Sequence, residues 1–303
     1  EKGQFVAIIG PSGSGKSTLV RRILYPALAK ILSETSERVG SHASIEGDVD
    51  AIGSVEMVDQ NPIGKSSRSN PVKAYDDIRD LFASQKLSKI RGFSAQHFSF
   101  NVDKGRCPVC KGDGEVVVQM QFMADVHLEC EACGGKRFKR EVLEVRYQDK
   151  NISDILEMTV DQAIDFFRLH GNDKIVEKLE PLSDVGLGYI HLGQPASTLS
   201  GGEAQRIKLA SFLGKGKVPV KTLFIFDEPT TGLHFHDIKK LLASFDSLIR
   251  RGHSIIVIEH NPDVIKCADY VIDLGPEGGN DGGRLVFAGT PEELVGCSGS
   301  YTA

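Results

Sequence analysis

The stretch Gly10-Pro-Ser-Gly-Ser-Gly-Lys-Ser17 carries the plainest chemistry in this sequence. Gly10, Gly13 and Gly15 let successive backbone N–H groups curl around an anion, and the helical segment that follows adds the partial positive charge of its N-terminus. The spacing G-x-x-x-x-G-K-[ST] after an apolar run predicts a nucleoside-triphosphate site lined by Ser12, Ser14 and Thr18. In it Lys16 reaches the β and γ phosphates and the Ser17 hydroxyl ligates Mg²⁺. Asp227 and Glu228 end a second apolar run, 223–226. Carboxylates at the C-terminal end of such a strand stand beside the phosphates, Asp227 to hold Mg²⁺ and Glu228 to polarise the attacking water as general base.

Ser200, Gly201 and Gly202 open a helical segment and form a second anion site from bare N–H groups and a hydroxyl. One nucleotide does not need two γ-phosphate sites. The run Leu199-Ser-Gly-Gly-Glu-Ala-Gln205 resembles the signature of ATP-binding-cassette (ABC) ATPases, where it completes the ATP site of a facing domain. That resemblance implies Gln60 as the Q-loop glutamine and His260, after the run 255–258, as the switch histidine on the γ-phosphate. His234 and His236 fall in the segment that meets the partner domain, or are solvated loop histidines.

Cys107, Cys110, Cys130 and Cys133 follow C-x₂-C-x₁₉-C-x₂-C, a spacing that predicts a four-thiolate zinc site. Gly112, Gly114, Gly134 and Gly135 after the two pairs are expected to aim N–H groups at sulfur, with a strand-turn-strand over 115–122 and 125–129 joining the knuckles. Four cysteines fill a tetrahedron, so His127 is not needed, and Cys267 and Cys297 have no such partners. Between Lys86 and Arg140 stand ten basic and six acidic residues, whereas the whole chain has a formal charge of -5. The insert is therefore mildly basic on an acidic protein. Arg91, Lys136 and Arg137, with aromatics interleaved over 93–100, suit phosphate contact and base stacking, or else a solvated basic face over buried Phe.

The elements that must position these groups are legible as apolar runs at 5–9, 223–226, 255–258, 270–274 and 285–287, unalternating as in a parallel sheet buried on both faces. Helical segments are expected at 18–32, 203–213, 237–251, 152–156, 160–170 and 173–179. Their alternation predicts an α/β fold: an ABC-type P-loop ATPase domain with an inserted zinc-binding signature subdomain. The expected boundaries are 1–85 for the first part of the ATPase core, 86–190 for the insert with its zinc module at about 100–140, and 191–303 for the second part of the core. No apolar run approaches the ~18 residues a membrane span needs, so a cytoplasmic location without a membrane partner is the expectation.

Taken together the motifs resemble one family, UvrA, the ATP-dependent damage-recognition subunits of bacterial nucleotide excision repair. The stretches that carry the resemblance are Asp59-Gln-Asn-Pro-Ile-Gly64, Arg68-Ser-Asn-Pro71, Phe98-Ser-Phe-Asn101 and Gly105-Arg-Cys-Pro-Val-Cys-Lys-Gly-Asp-Gly114. They continue with Asp184-Val-Gly-Leu-Gly-Tyr-Ile190, Leu192-Gly-Gln-Pro195, Leu199 to Arg206, Asp227-Glu-Pro-Thr-Thr-Gly-Leu-His234, Ile258-Glu-His-Asn261 and Asp273-Leu-Gly-Pro-Glu-Gly-Gly279. Gly10-Pro11 departs from that family's usual Gly-Val.

The likeness is to the C-terminal half, since family members carry two ABC halves and this sequence has one phosphate loop and one signature. It implies ATP, Mg²⁺ and Zn²⁺ as cofactors, duplex DNA with lesions and a second ABC half as partners, and a UvrB-type helicase docked through a region absent here. It also makes Lys65, Arg68 and Lys73 candidates for DNA phosphate contact, or residues of an ordinary surface loop. Two other readings stay open. One is a transporter's ATPase subunit, against which the cysteine-bearing insert argues. The other is a non-repair zinc protein, since Cys107 to Gly114 also resembles the zinc repeats of DnaJ-type chaperones.

Overall fold

The computed structural model describes residues 3–32, 38–61, 74–120, 125–214, 220–279 and 282–303. Two compact units divide the chain: Glu1–Asn61 with Gly201–Ala303, and Pro62–Ser200. Among the described residues eight strands run in chain order as β1 (Phe5–Ile9), β2 (Ser54–Val58), β3 (Glu115–Val118), β4 (Val126–Glu129), β5 (Thr222–Asp227), β6 (Ser254–Ile258), β7 (Tyr270–Gly275) and β8 (Arg284–Gly289). In the first unit six of them form one sheet in the order β2-β5-β6-β1-β7-β8.

The unalternating apolar runs behave as expected at β5, β6, β1 and β7, which lie side by side in that order and pair parallel with one another. All six residues of β5 are buried. Phe224 packs edge-on against Phe212 at 5.0 Å and against the His253 ring at 5.4 Å, while Phe226 meets Phe245 at 4.7 Å. β8 corrects the sequence reading: it pairs antiparallel with β7, and most of its residues are not buried. It is an edge strand with one neighbour, so it lacks the two-sided cover that a parallel interior strand requires. β2 is not marked by a continuous apolar run, because Ser54-Val-Glu-Met-Val58, on the opposite edge of the sheet, mixes polar and apolar side chains.

Helix boundaries shift for identifiable reasons. The segment 18–32 is not one α-helix but a π-helical stretch Thr18–Leu24 followed by an α-helix Tyr25–Ile31. Pro26 stands in the first turn of the second piece, where its missing N–H is not needed. The signature helix begins earlier than the charged residues suggest, at Gly201, and runs to Leu213. Phe235–Arg250 forms the long helix after the two carboxylates, and Asp173–Asp184 continues past Leu179 through Pro181.

The second unit is mainly helical, with β3 and β4 forming a separate antiparallel ribbon. Its core overturns the base-stacking reading of two aromatics. Phe98 is 0% and Phe100 3% exposed, Phe98 packs on Phe82 at 5.5 Å, and Phe100 packs on Tyr75 at 5.3 Å. The Tyr75 hydroxyl donates to the Phe98 carbonyl at 2.6 Å. Phe93 is half-buried and stacked on His97 at 4.7 Å. Among the described residues no helix is long and apolar enough to cross a membrane.

His253 links the sheet to pH. Its Nδ1 accepts the Thr222 N–H at 3.1 Å, and burial, with the nearby Arg251 charge, lowers its pKa below the ordinary 6.5. A folded pKa below the unfolded one means that the unfolded chain takes up the proton first, so stability falls as pH drops below 6.5. His253→Asn keeps an acceptor near Nδ1 but does not titrate. In urea melts between pH 8 and 5, the variant should lose less stability than the unaltered chain. Parallel losses in both would remove His253 from the pH dependence.

Candidate nucleotide and metal sites

Because β2, β5, β6 and β1 run parallel, their C-terminal ends emerge at one edge of the sheet. β1 delivers Gly10, β2 delivers Asp59 and Gln60, β5 delivers Asp227 and Glu228, and β6 delivers Glu259 and His260. The phosphate loop takes the backbone form its glycines permit, with φ of 133°, 81° and 94° at Gly10, Gly13 and Gly15. A Cβ on Gly10 would lie 1.9 Å from the Leu274 carbonyl oxygen, so no other residue fits there.

The Lys16 ammonium donates to the Gly10 and Pro11 carbonyls, each at 2.8 Å. Burial pulls its pKa down, against the opposing charges of Glu228, Asp227 and Asp273. The Ser14 hydroxyl is buried inside the loop with no hydrogen-bond partner among the described residues. Ser12, Ser17 and Thr18 are exposed on the loop and the first helical turn. Ser17, Arg21, Gln60, Asp227 and Glu228 line a cleft of about 360 Å³.

Within that cleft the Asp227 Oδ2 accepts from Arg21 Nε at 2.6 Å, a partner that the sequence reading did not include. Glu228 has a left-handed backbone, φ 48°, unusual for a residue with a Cβ. Its N–H donates to the Ile258 carbonyl at 2.9 Å, and its own carbonyl accepts from Gln60 Nε2 at 3.2 Å. His260 Nε2 stands 3.6 Å from Glu228 Oε1.

Gly201 and Gly202 start the signature helix against the same region: a Cβ on Gly201 would lie 3.0 Å from Gln60 Cβ, and one on Gly202 3.2 Å from the Thr231 carbonyl. Ser200, one residue earlier, is exposed. His234 is exposed at the start of the helix Phe235–Arg250, and the side chain of His236 lies outside the described residues.

Three residues that hold this edge together were not singled out by sequence reasoning. Glu259 is 2% exposed and its carboxylate accepts the Thr230 N–H (3.1 Å) and hydroxyl (2.5 Å) as well as the N–H groups of His260 (2.7 Å) and Asn261 (2.9 Å). It therefore ties the Asp227–Glu228 loop to the His260 loop. Gln205, 1% exposed on the signature helix, donates to the carbonyls of Val58 at 2.7 Å and Asp227 at 3.3 Å, spanning the ends of β2 and β5. Lys208 on the same helix pairs with Asp59 at 2.6 Å. Glu259 and Gln205 stand inside recognisable motifs, but what each binds is a property of the fold.

In the second unit the four cysteine sulfurs lie within 4.8 Å of one another, with Cys107 3.9 Å from Cys130 and Cys110 3.7 Å from Cys133. A tetrahedral ion with metal–sulfur bonds of about 2.3 Å sets sulfur–sulfur edges of about 3.8 Å, so the donor set fits a four-coordinate thiophilic cation. Burial, then the neighbouring thiols, push the Cys133 thiol up to about 12.

The first knuckle works as its glycines predict, Gly114 N–H donating to Cys110 Sγ at 3.3 Å and Gly112 donating to the same sulfur. The second differs. Gly134 and Gly135 direct their N–H groups to the Cys130 carbonyl, and the N–H of Arg137 serves Cys133 sulfur instead. His127 pairs with Glu115 at 2.8 Å, outside the cluster.

Of the cations considered for nucleic acid, Lys65, Arg68 and Lys73 lie outside the described residues. Arg91 is engaged within the unit by the Glu141 carbonyl at 2.8 Å and the Glu144 carboxylate at 2.5 Å. Arg137 donates to the Gly193 carbonyl at 2.8 Å with its guanidinium 5.7 Å above the Phe100 ring. Lys136 is exposed.

Glu259→Gln replaces a pure acceptor by a group with only one acceptor oxygen and an NH₂ that faces other donors. Each buried N–H left unmatched costs about 1–3 kcal/mol. A chemical-denaturation midpoint should fall accordingly, and an unchanged midpoint would remove Glu259 as the tie between the two loops.

No protein-family model matches the chain. UvrABC system protein A of Clostridium acetobutylicum is 52% identical over 99% of this chain and 32% of its own length, and that of Bacillus subtilis is 54% identical over 99% and 31%. Among solved structures, UvrA2 from Deinococcus radiodurans superposes with a TM-score of 0.88 at 45% identity, covering all of this chain and 36% of that one. The chain thus spans about a third of the length of the relatives it matches. Such identity over nearly every residue, with the same fold, makes the chain a homologue of UvrABC system protein A and part of the UvrA family.

Proposed function

We propose that the chain is the C-terminal ATP-binding and ATP-hydrolysing half of a DNA-damage-recognition protein of nucleotide excision repair. The observation that carries this reading is the convergence of Lys16, Ser17, Gln60, Asp227, Glu228 and His260 on one sheet edge, in a homologue of UvrABC system protein A. In this reading the N–H groups of 10–17 cradle the phosphates. The Lys16 ammonium, already directed at the loop's own carbonyls, transfers to phosphate oxygens. Ser17 and Asp227 would hold Mg²⁺, at the carboxylate whose Oδ2 accepts from Arg21. Glu228 orients and deprotonates the attacking water, and His260 and Gln60 bracket the γ-phosphate.

Ser200, Gly201 and Gly202 complete the ATP site of a second ABC half, so binding of ATP closes two halves together. The four cysteines hold Zn²⁺, which supplies a structural cross-link and no reaction chemistry. Distorted or damaged duplex DNA is the ligand of the assembly, with Lys136 and the cations 65, 68 and 73 as phosphate contacts. A UvrB-type helicase joins through another part of the longer protein, in the cytoplasm. The cysteine cluster within the stretch between Gln60 and the signature speaks against a transporter subunit.

Glu228→Gln keeps the size of the side chain and removes its basicity. Turnover of ATP, measured for the chain alone and with a second ABC half, should fall by about 10²–10⁴-fold while ATP binding survives and the ATP-bound pair becomes longer lived. Unchanged turnover would overturn the assignment of Glu228. For DNA, a duplex carrying a bulky adduct should bind more tightly than its undamaged counterpart when ATP is present, with affinity falling linearly in log salt. Equal and negligible binding of both duplexes would remove DNA recognition from this part of the protein.

A further inference from the structure

Arg137 stands where the second unit's metal cluster meets the peptide that runs into the signature. Its backbone is left-handed, φ 67°, a conformation the surrounding turns give also to Lys111 and to Gly112, Gly114, Gly134 and Gly135. An arginine stands there although glycine would adopt the same backbone without strain, so its side chain is the feature to account for. Its N–H donates to Cys133 sulfur and its carbonyl accepts the Cys107 N–H at 2.8 Å, so one residue fastens both knuckles. The side-chain stem covers Gly114, where a Cβ would come within 3.2 Å of Arg137 Cγ. Beyond the stem the guanidinium crosses the Phe100 ring and donates to the Gly193 carbonyl at 2.8 Å.

Gly193 has little freedom on its other side. Its N–H donates to the Leu156 carbonyl at 2.8 Å, that of Leu192 to Met158 at 2.9 Å, and a Cβ on Gly193 would lie 3.0 Å from Leu156 Cβ. The chain then passes through Pro195 and the short 3₁₀ turn Ala196–Thr198 to Ser200. A hydrogen bond from an ionised donor is the stronger kind, and here it is the bond described between the cluster and that peptide.

We propose that Arg137 is a positioning residue that couples occupancy of the four-cysteine cluster to the conformation of residues 192–199, the approach to the signature. Bound metal fixes both knuckles, the knuckles fix the Arg137 backbone, and the guanidinium fixes the Gly193 carbonyl. The inference rests on the zinc reading above but not on ATP hydrolysis, and it makes the metal more than a local staple.

Arg137→Gly suits the backbone and removes only the side chain, and Arg137→Met keeps the stem but not the donor. Metal content is measured first, and amide hydrogen exchange is then followed with zinc bound and after chelation. In the unaltered chain, chelation should raise exchange at 192–194 and 198 about tenfold or more, together with the knuckles, while the helix Val160–Leu169 stays protected. Arg137→Gly loaded with about one zinc per chain should already exchange 192–194 at the chelated rate although its knuckles remain protected. Arg137→Lys, which can still donate to the Gly193 carbonyl, should restore most of the protection.

Full protection of 192–194 in loaded Arg137→Gly, or no response of that stretch to chelation in the unaltered chain, would overturn the coupling and leave the zinc reading standing. Absence of metal from the unaltered chain would overturn both. If Arg137→Gly alone loses its metal, Arg137→Met makes the same comparison, with the same result deciding it.

Discussion

Everything at the candidate nucleotide site follows from the burial of β5. All six of its residues are removed from water, so every backbone N–H and C=O must be met by a neighbouring strand, and β2 and β6 meet them in parallel register. Parallel pairing leaves no choice of direction. The polar residues that cannot remain in such a strand are expelled at its C-terminal end, where the ends of β2, β6 and β1 expel theirs. Asp227, Glu228, Gln60, His260 and the phosphate loop are neighbours because the apolar runs before them are buried, and the chemistry is a boundary condition of the core.

What holds the edge in shape is a set of hydrogen bonds rather than more apolar surface. The buried Glu259 carboxylate gathers donors from two loops, and Gln205 bridges two strand ends from the signature helix. This division of labour explains what was legible in the sequence. Lys16, Asp227, Glu228 and the four cysteines were found because their spacing repeats a chemical requirement. Arg21, Glu259 and Gln205 were not, because the partners that make them ties, Asp227, Thr230 and Val58, lie far along the chain and leave no local trace.

The same reasoning accounts for the errors in the fold. β2 mixes polar with apolar residues because an edge strand has only one neighbour and needs less cover, and β8 escapes the parallel rule at the other edge. Phe98 and Phe100, which beside polar residues read either as stacking platforms or as buried Phe, are buried, with Phe82 and Tyr75 as their neighbours in space. In the zinc module the paired glycines predicted sulfur-directed N–H groups correctly at the first knuckle. At the second, the turn spends its glycine N–H groups on the Cys130 carbonyl and recruits Arg137.

The approach of Gly10 to Leu274 bears on how this chain can vary. A single hydrogen atom at Gly10 is all that separates the phosphate loop from the main chain of β7, two segments far apart in the sequence. Neither can drift alone. An insertion or a bend in β7 would carry the Leu274 carbonyl into the loop or away from it, so the C-terminal strands act as a template for the loop's shape. Inherited change in one is therefore confined to what the other can follow.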